Sequence, residues 1–368
     1  MSKRKRILYL SNSAALGGME IHLLNLVEGM VKKGYEIFVI CPWGEMVERY
    51  FDAGANVRVD YPRIDLDPFY IFRLIKFIRQ NRIEVLHAHQ LKTVINGLIA
   101  GKVANVPLKI AHIHTPLSQW QISPLKKRID IFVNRIVTNL CADKAIALTE
   151  ATKKERVEGE GIAPEKIVVI PNGIKLKAQS SKRKAIAQTS KLTVGTLGRL
   201  TIEKGTRVFV EAIPHVITSS PHHLNFIIAG DGELRGELET QVKKLGIGDS
   251  ITFLGFVPEE KKLDVLSSFD IFVFPSLAEG FGIALIEAMA LGLPCVVSDL
   301  PVLREVTDGG RCAILFETAN AQDLAEKIIQ LSEDTNLRQQ LGQKARRRVE
   351  ENYSLERFIE NYDHLYQQ

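Results

Sequence analysis

The feature that most constrains this chain is an alternation that runs its whole length and occurs twice. Short apolar runs rich in β-branched residues are separated by amphipathic stretches, and that order predicts βαβ units built on parallel sheets. In the first half strands are predicted at residues 7–10, 37–41, 57–60, 85–87, 108–112, 144–148 and 168–170. Helical spacing fills the gaps, as with Ile21, Leu24, Leu26 and Val27, and later Ile71, Leu74, Ile75 and Ile78. The second half repeats the scheme, with strands at 192–196, 225–229, 251–253, 271–274, 295–298 and 313–316.

A chain of 368 residues exceeds what one hydrophobic core usually serves, so two α/β domains with Rossmann-like sheets are expected, 1–177 and 178–353. Pro171-Asn172-Gly173 closes the first half as a turn, and residues 175–191, rich in Lys, Ser and Gln, read as the linker. Ser354 is the N-cap of a predicted helix over 354–368 that could pack on either domain.

The apolar run that follows the basic start is only four residues long, too short for a signal peptide or a membrane span. Cys41, Cys141, Cys295 and Cys312 stand singly with no Cys-x-x-Cys spacing, which argues against a zinc cluster and against a disulfide framework. They read as core residues of a cytoplasmic protein. Charge is uneven: residues 1–178 hold 27 Lys and Arg against 17 Asp and Glu, a net +10, and the remainder carries −5. The first half favours an anionic partner such as a nucleic acid, an anionic lipid surface or a phosphorylated acceptor, with a solvated basic surface as the plain alternative.

Ligands of open parallel sheets bind outside the carboxyl ends of the strands, so the loops there carry the functional signal. Gly17 and Gly18 follow the first strand and open a helix, where free amides suit an anion. The spacing is not Gly-x-Gly-x-x-Gly, which counts against a dinucleotide-dependent oxidoreductase. His87-Ala88-His89 and His112-Ile113-His114 end two further strands. On the ground that strand residues alternate between faces, at most one histidine of each pair is expected to face the cleft. With no carboxylate or cysteine at ligand spacing, no metal site is assigned, and strand-end histidines bonding nearby backbone are the simpler reading.

The second half is more specific. Arg199 ends one strand and Lys204 opens the next helix, a fixed and a flexible cation that together can neutralise a diphosphate without a metal. Gly230 ends the next strand, and Phe256-Val257 the one after. Glu279-Gly280-Phe281-Gly282 then leads into a helix in which Glu287 lies among Ile283, Leu285, Ile286, Ala288 and Met289. A carboxylate in that setting demands a partner, and a pair of ribose hydroxyls fits.

These motifs resemble glycosyltransferase family 4, the retaining transferases of GT-B architecture, in which two Rossmann-like domains face each other across a cleft. The likeness covers nearly the whole chain, and Glu279-x7-Glu287 is its most specific part. It implies that Arg199 and Lys204 hold the donor diphosphate, Glu287 the ribose, and Glu279 with the Phe281 and Gly282 amides the transferred sugar. It also implies His114 beside that sugar, the base near Phe256 and Val257, and a C-terminal helix that crosses back to the first domain. Gly17, Gly18, Gly230 and Gly280 join the donor-binding set, and His114, Glu279, Arg199 and Lys204 the catalytic one.

The hard step for such an enzyme is ionising the bond between an anomeric carbon and a diphosphate, so charge on the leaving group must be stabilised. No second carboxylate is identifiable as a nucleophile, unlike the pair used by retaining hydrolases. Same-face attack, with the departing phosphate oxygen taking the acceptor proton, is the mechanism the resemblance implies. The expected partners are a nucleotide-diphosphate sugar and a glycan, lipid-linked or small-molecule acceptor of cell-envelope polysaccharide type, with no nucleic acid, no cofactor and no metal. The rival readings are a sugar-nucleotide 2-epimerase of similar architecture and a non-catalytic sugar-nucleotide-binding partner.

Residues 122–140 bear on location. Ile129, Phe132, Val133, Ile136 and Val137 form a helical stripe that most simply packs against the sheet. Lys126-Lys127-Arg128 crowd the helix start, the end that disfavours cations, so an outside anion would help explain them. Weak contact with an anionic membrane surface, at the inner face of the membrane, is the expectation that follows.

Overall fold

The computed structural model describes residues 5–176, 191–220 and 223–368. Most of the predicted linker and the predicted 177/178 boundary lie outside them. The chain divides into two compact units, residues 1–173 with 355–368, and residues 174–354.

In the first unit the elements run β1 (Arg6–Leu10), α1 (Gly18–Lys32), β2 (Glu36–Cys41), α2 (Met46–Asp52), β3 (Asn56–Val59), α3 (Pro68–Asn81), β4 (Val85–His89), α4 (Leu91–Val103), β5 (Leu108–His112), α5 (Pro124–Cys141), β6 (Lys144–Ala147), α6 (Glu150–Glu158) and β7 (Ile167–Val169). The strands form one parallel sheet in the order β3-β2-β1-β4-β5-β6-β7. Helices cover both faces, which is why β1 and β2 are nearly continuous apolar runs rather than alternating ones. Local chemistry sets the helix starts. The Asp67 carboxylate accepts from the Tyr70 amide at 3.0 Å ahead of Pro68, and Thr149 forms a capping box with Thr152.

The second unit runs β8 (Leu192–Leu197), α7 (Thr206–Ser219), β9 (Leu224–Ala229), α8 (Arg235–Leu245), β10 (Ile251–Gly255), α9 (Glu259–Ser267), β11 (Ile271–Phe274), α10 (Ile283–Ala290), β12 (Cys295–Ser298), α11 (Pro301–Val306), β13 (Ile314–Phe316), α12 (Ala321–Glu333) and α13 (Thr335–Asn352). Its sheet is again parallel, in the order β10-β9-β8-β11-β12-β13. The order reverses between β8 and β11, the switch point where open sheets bind ligands.

The last helix, α14 (Leu355–Gln367), packs in the first unit beside α1. A Cβ on Gly29 of α1 would lie 2.1 Å from Ile359 Cδ1, so only glycine admits this approach. Phe358, Tyr362, Leu365 and Tyr366 are buried there, and Lys33 pairs with Asp363 at 3.1 Å.

Helix α5 departs from its predicted packing. Val137 is buried, but Ile129, Phe132 and Ile136 are 52%, 61% and 40% exposed, and Leu125 and Leu140 share that outer face. The inward face instead carries Asp130, Asn134 and Thr138. Asn134 accepts from the Thr138 hydroxyl at 3.0 Å, and Asp130 from Lys126 at 3.1 Å, so hydrogen bonding makes a polar inward face tolerable. Two of the three cations at the helix start also have internal partners: Lys126 reaches Asp65 at 2.9 Å, and Lys127 the Ser118 carbonyl at 2.9 Å. No helix among the described residues is long and apolar enough to cross a membrane.

Candidate functional site

In the second unit the strand-end loops are stitched to one another. The Gly198 amide donates to the Ala229 carbonyl at 3.0 Å, and Gly230 to the Gly255 carbonyl at 2.8 Å. At Gly230, φ is +134°, and a Cβ would sit 1.8 Å from the Gly198 carbonyl oxygen, so β8 and β9 exits can touch only through glycine. Gly205 plays the same part between β8 and β11: its φ is +63°, and a Cβ would meet the Pro275 carbonyl oxygen at 1.9 Å. The Glu203 carbonyl accepts from the Leu277 amide at 2.8 Å, closing that junction.

This brings Lys204 to Glu279. Lys204 Nζ donates to Glu279 Oε2 at 2.6 Å, and Ser276 Oγ lies 3.4 Å from the same oxygen. The Gly280 amide donates to Oε1 at 3.2 Å. Arg199 stands at the same strand end, largely exposed and 3.6 Å from Glu203. Gly282, with φ +97°, is the N-cap of α10, whose first amides have no partner within the helix. The Phe281 ring is 1% exposed and meets Tyr353 edge-on at 5.4 Å, so that side chain is core and only its backbone can serve a ligand. Phe256 is 65% exposed and Val257 half-buried at the end of β10.

Glu287 is buried on α10, and its expected need of a partner is half met from within. Lys262 of α9 donates to Oε1 at 2.9 Å and also pairs with Glu259 at 3.0 Å. Oε2 of Glu287 is buried with no partner. Burial raises the Glu287 carboxyl, partly countered by the Lys262 charge. Nothing in the sequence singled out Lys262; the demand of Glu287 for a cation was the one available signal.

The first unit gathers its histidines more closely than expected. His87 and His89 stack with ring centroids 4.3 Å apart, and His112 and His114 at 3.9 Å. Both members of each pair share a face because the side-chain period of a strand is two, so residues i and i+2 point the same way. The expectation of one histidine per pair is thereby corrected. His22 of α1 joins them edge-on, 4.8 Å from His114 and 5.0 Å from His112. Burial lowers His22 to about 4, and burial first, then neighbouring rings, holds His87, His89, His112 and His114 well below the ordinary imidazole value. All five are neutral at pH 7.

Gly17 and Gly18 lie at the start of α1, in the same unit. Gly17 is the N-cap with extended backbone, and a Cβ there would fall 2.7 Å from Glu20 Oε2. Gln90, which sequence reasoning missed, ties this loop to the histidines. Its side chain accepts from the Asn12 amide at 3.0 Å, its own amide donates to the His112 carbonyl at 3.0 Å, and its φ is +69°. A bulky residue in that region marks a strained strand exit.

Comparison with known proteins completes the description. Residues 178–348 match the model of Glycosyl transferases group 1, and residues 16–178 that of Glycosyltransferase Family 4. The chain belongs to the family 4 glycosyltransferases. This transferase is 25% identical, over 95% of its length and 94% of the relative's, to the Escherichia coli UDP-Gal:alpha-D-GlcNAc-diphosphoundecaprenol alpha-1,3-galactosyltransferase. It is 28% identical, over 92% and 94%, to the Campylobacter jejuni N,N'-diacetylbacillosaminyl-diphospho-undecaprenol alpha-1,3-N-acetylgalactosaminyltransferase. Its fold is GT-B: Anabaena HepE, solved in complex with UDP and glucose, superposes with a TM-score of 0.85 at 21% identity, covering 98% of this chain and 99% of that one.

Proposed function

We propose that this transferase moves a sugar, with retention of anomeric configuration, from a nucleoside diphosphate to a lipid-linked glycan acceptor, and that no metal or cofactor takes part in the transfer. The observation that carries the reading is the convergence of Arg199, Lys204, Glu279 and the N-terminus of α10 at the switch point of the second sheet. Cations and helix amides placed there stabilise a departing diphosphate, which is the work a divalent ion does elsewhere. As the anomeric bond breaks, its electron pair goes to the phosphate oxygen. That oxygen takes the acceptor hydroxyl proton while the acceptor oxygen bonds the same face of the sugar. Glu279 orients the sugar, the unpartnered Oε2 of Glu287 receives a ribose hydroxyl, and His114 is the first unit's catalytic residue.

Two observations support an acceptor at a membrane. The relatives named above act, by their names, on diphosphoundecaprenol-linked sugars. The outer face of α5 exposes Leu125, Ile129, Phe132, Ile136 and Leu140, and Ile64 and Leu66 flank the Asp65 that binds Lys126. Apolar side chains beside a +10 half-chain suit the cytoplasmic surface of an anionic bilayer.

The test is a screen of labelled nucleotide sugars for donor hydrolysis and for transfer to polyprenyl-diphosphate sugars, in EDTA. Product of retained configuration is expected. Free epimer released without acceptor, or binding with neither hydrolysis nor transfer, would overturn the reading.

A further inference from the structure

Three buried ring nitrogens in the first unit have no partner: Nε2 of His22, of His89 and of His112. A buried polar atom without a partner is costly, and three in one cluster call for a common explanation. One ring nitrogen each from His22, His89, His112 and His114 lies within 4.8 Å of one from every other.

The opposite nitrogens of the same rings limit where the protons can sit. His22 Nδ1 lies 2.7 Å from Asn172 Oδ1, an acceptor, so that nitrogen carries the proton and Nε2 keeps its lone pair. His87 Nδ1 lies 2.7 Å from Tyr366 Oη and His87 Nε2 3.3 Å from His112 Nδ1; with the His87 proton on Nδ1, His112 Nδ1 donates to His87 and His112 Nε2 keeps its lone pair. His89 Nδ1 lies 3.2 Å from His114 Nε2, and with the proton on His89 Nδ1 the lone pair on His89 Nε2 is free. One consistent assignment thus presents a lone pair on each of the three unpartnered atoms.

We propose that His22, His89 and His112 form a binding site for a divalent transition-metal ion, with Zn2+ the best match. Three neutral imidazoles suit a borderline ion and repel an anion. Asn172, His87 and His114 each hold the far nitrogen of a ligand ring, the outer-shell arrangement that orients metal-binding imidazoles. Zinc–imidazole bonds of about 2.0–2.1 Å set ligand nitrogens roughly 3.3 Å apart, so the rings draw together on binding. His114 and Thr115, half-buried, give the ion its way in. Bound ion would clip α1 to the ends of β4 and β5. The site lies wholly in the first unit; His114, which the transferase reading also uses, neighbours the ligands without being one of them, and the ion takes no part in the transfer.

The full chain, stripped with EDTA and dialysed, is titrated with Co2+, whose tetrahedral nitrogen complexes absorb visible light. About one equivalent is expected to bind, to be displaced by Zn2+, and to raise the unfolding midpoint by about 5 °C at a hundredfold excess over Kd. His22→Ala and His112→Ala should weaken Co2+ binding roughly 100-fold, and Asn172→Ala about tenfold. His215→Ala, at an exposed position on α7, should change nothing. Absence of visible bands and of a thermal shift in the unaltered chain overturns the site. So does wild-type affinity in the folded variants, and if the histidine variants do not fold, Asn172→Ala decides.

Discussion

Lys204 Nζ and Glu279 Oε2 lie 2.6 Å apart, joining loops that are 75 residues apart in sequence. The cation proposed for the diphosphate and the carboxylate proposed for the sugar thus pair with each other. Lys204→Ala and Glu279→Ala are each expected to lower turnover at least tenfold, because each removes a charge-assisted hydrogen bond of about 1.5–3 kcal/mol to a group that changes at the transition state. Since they share one contact, the double variant should lose less than the product of the single losses. Near-normal kcat in both single variants, with folding confirmed by circular dichroism, removes them from the site.

The Lys262–Glu287 pair predicts an asymmetry. Lys262→Met leaves a buried carboxylate without its cation, costing about 3 kcal/mol or more, whereas after Glu287→Gln the lysine still has Glu259 at 3.0 Å. Urea denaturation should show a clearly larger loss for Lys262→Met. Glu287→Gln should instead weaken binding of the proposed nucleoside diphosphate about tenfold through the lost ribose contact. Equal stability losses with unchanged nucleoside diphosphate affinity would count against both roles.

Most of the fold was legible in the sequence because its strands are buried on both faces. A run such as residues 271–274 cannot be hidden among polar residues, and all four are buried in β11. The second unit's loops were legible because glycine and charge occur together at strand ends. Three things were not. The packing of α5 was misjudged because Asp130, Asn134 and Thr138 take the inward face, and hydrogen-bonded polar residues are invisible to hydrophobic periodicity. The partners of His22 come from β4, β5 and Asn172, distances only the folded sheet brings together. The strain at Gln90 has no residue-type signature, since glutamine is not a residue that favours positive φ.

Metal removal separates the two proposed sites. Transfer is expected to persist in excess EDTA if, as proposed, Arg199 and Lys204 neutralise the diphosphate in place of a divalent ion. Loss of activity in EDTA that Mg2+ or Mn2+ restores would show that these side chains are insufficient. Restoration by Zn2+ alone would assign the dependence to the histidines instead.

In α6 and the loop after it, Arg156 and Glu160 are 1% exposed each, with the guanidinium also donating to the Ile146 carbonyl at 2.7 Å. Burial lowers Arg156 and raises Glu160, and the two charges, 3.6 Å apart, each offset part of the other's burial. Glu160→Ala is expected to cost about 3–5 kcal/mol by stranding the buried cation, and Arg156→Met with Glu160→Gln less than Glu160→Ala alone. Chemical denaturation of the two variants gives the order directly, and the reverse order would show that the pair does not act as a unit.

The outer face of α5 gives the last prediction. Leu125, Ile129, Phe132, Ile136 and Leu140 recur at spacings of three and four residues along an exposed helical face, which is one stripe on a helix. A water-facing stripe of this length is a liability unless something covers it. Lys126 and Lys127 already have partners within the unit, so the apolar stripe, more than the basic cluster, should set the strength of any membrane contact. Sedimentation with anionic vesicles at low salt should therefore bring the protein down, neutral vesicles should do so less, and raised salt should weaken the first effect. Phe132→Ser with Ile129→Ser should abolish pelleting without unfolding the chain, because both side chains are more than half exposed. Replacing Lys126, Lys127 and Arg128 by Gln should only reduce it. Equal failure to pellet with either vesicle at low salt, or pelleting that survives the serine variant, would direct the search for the acceptor away from the bilayer.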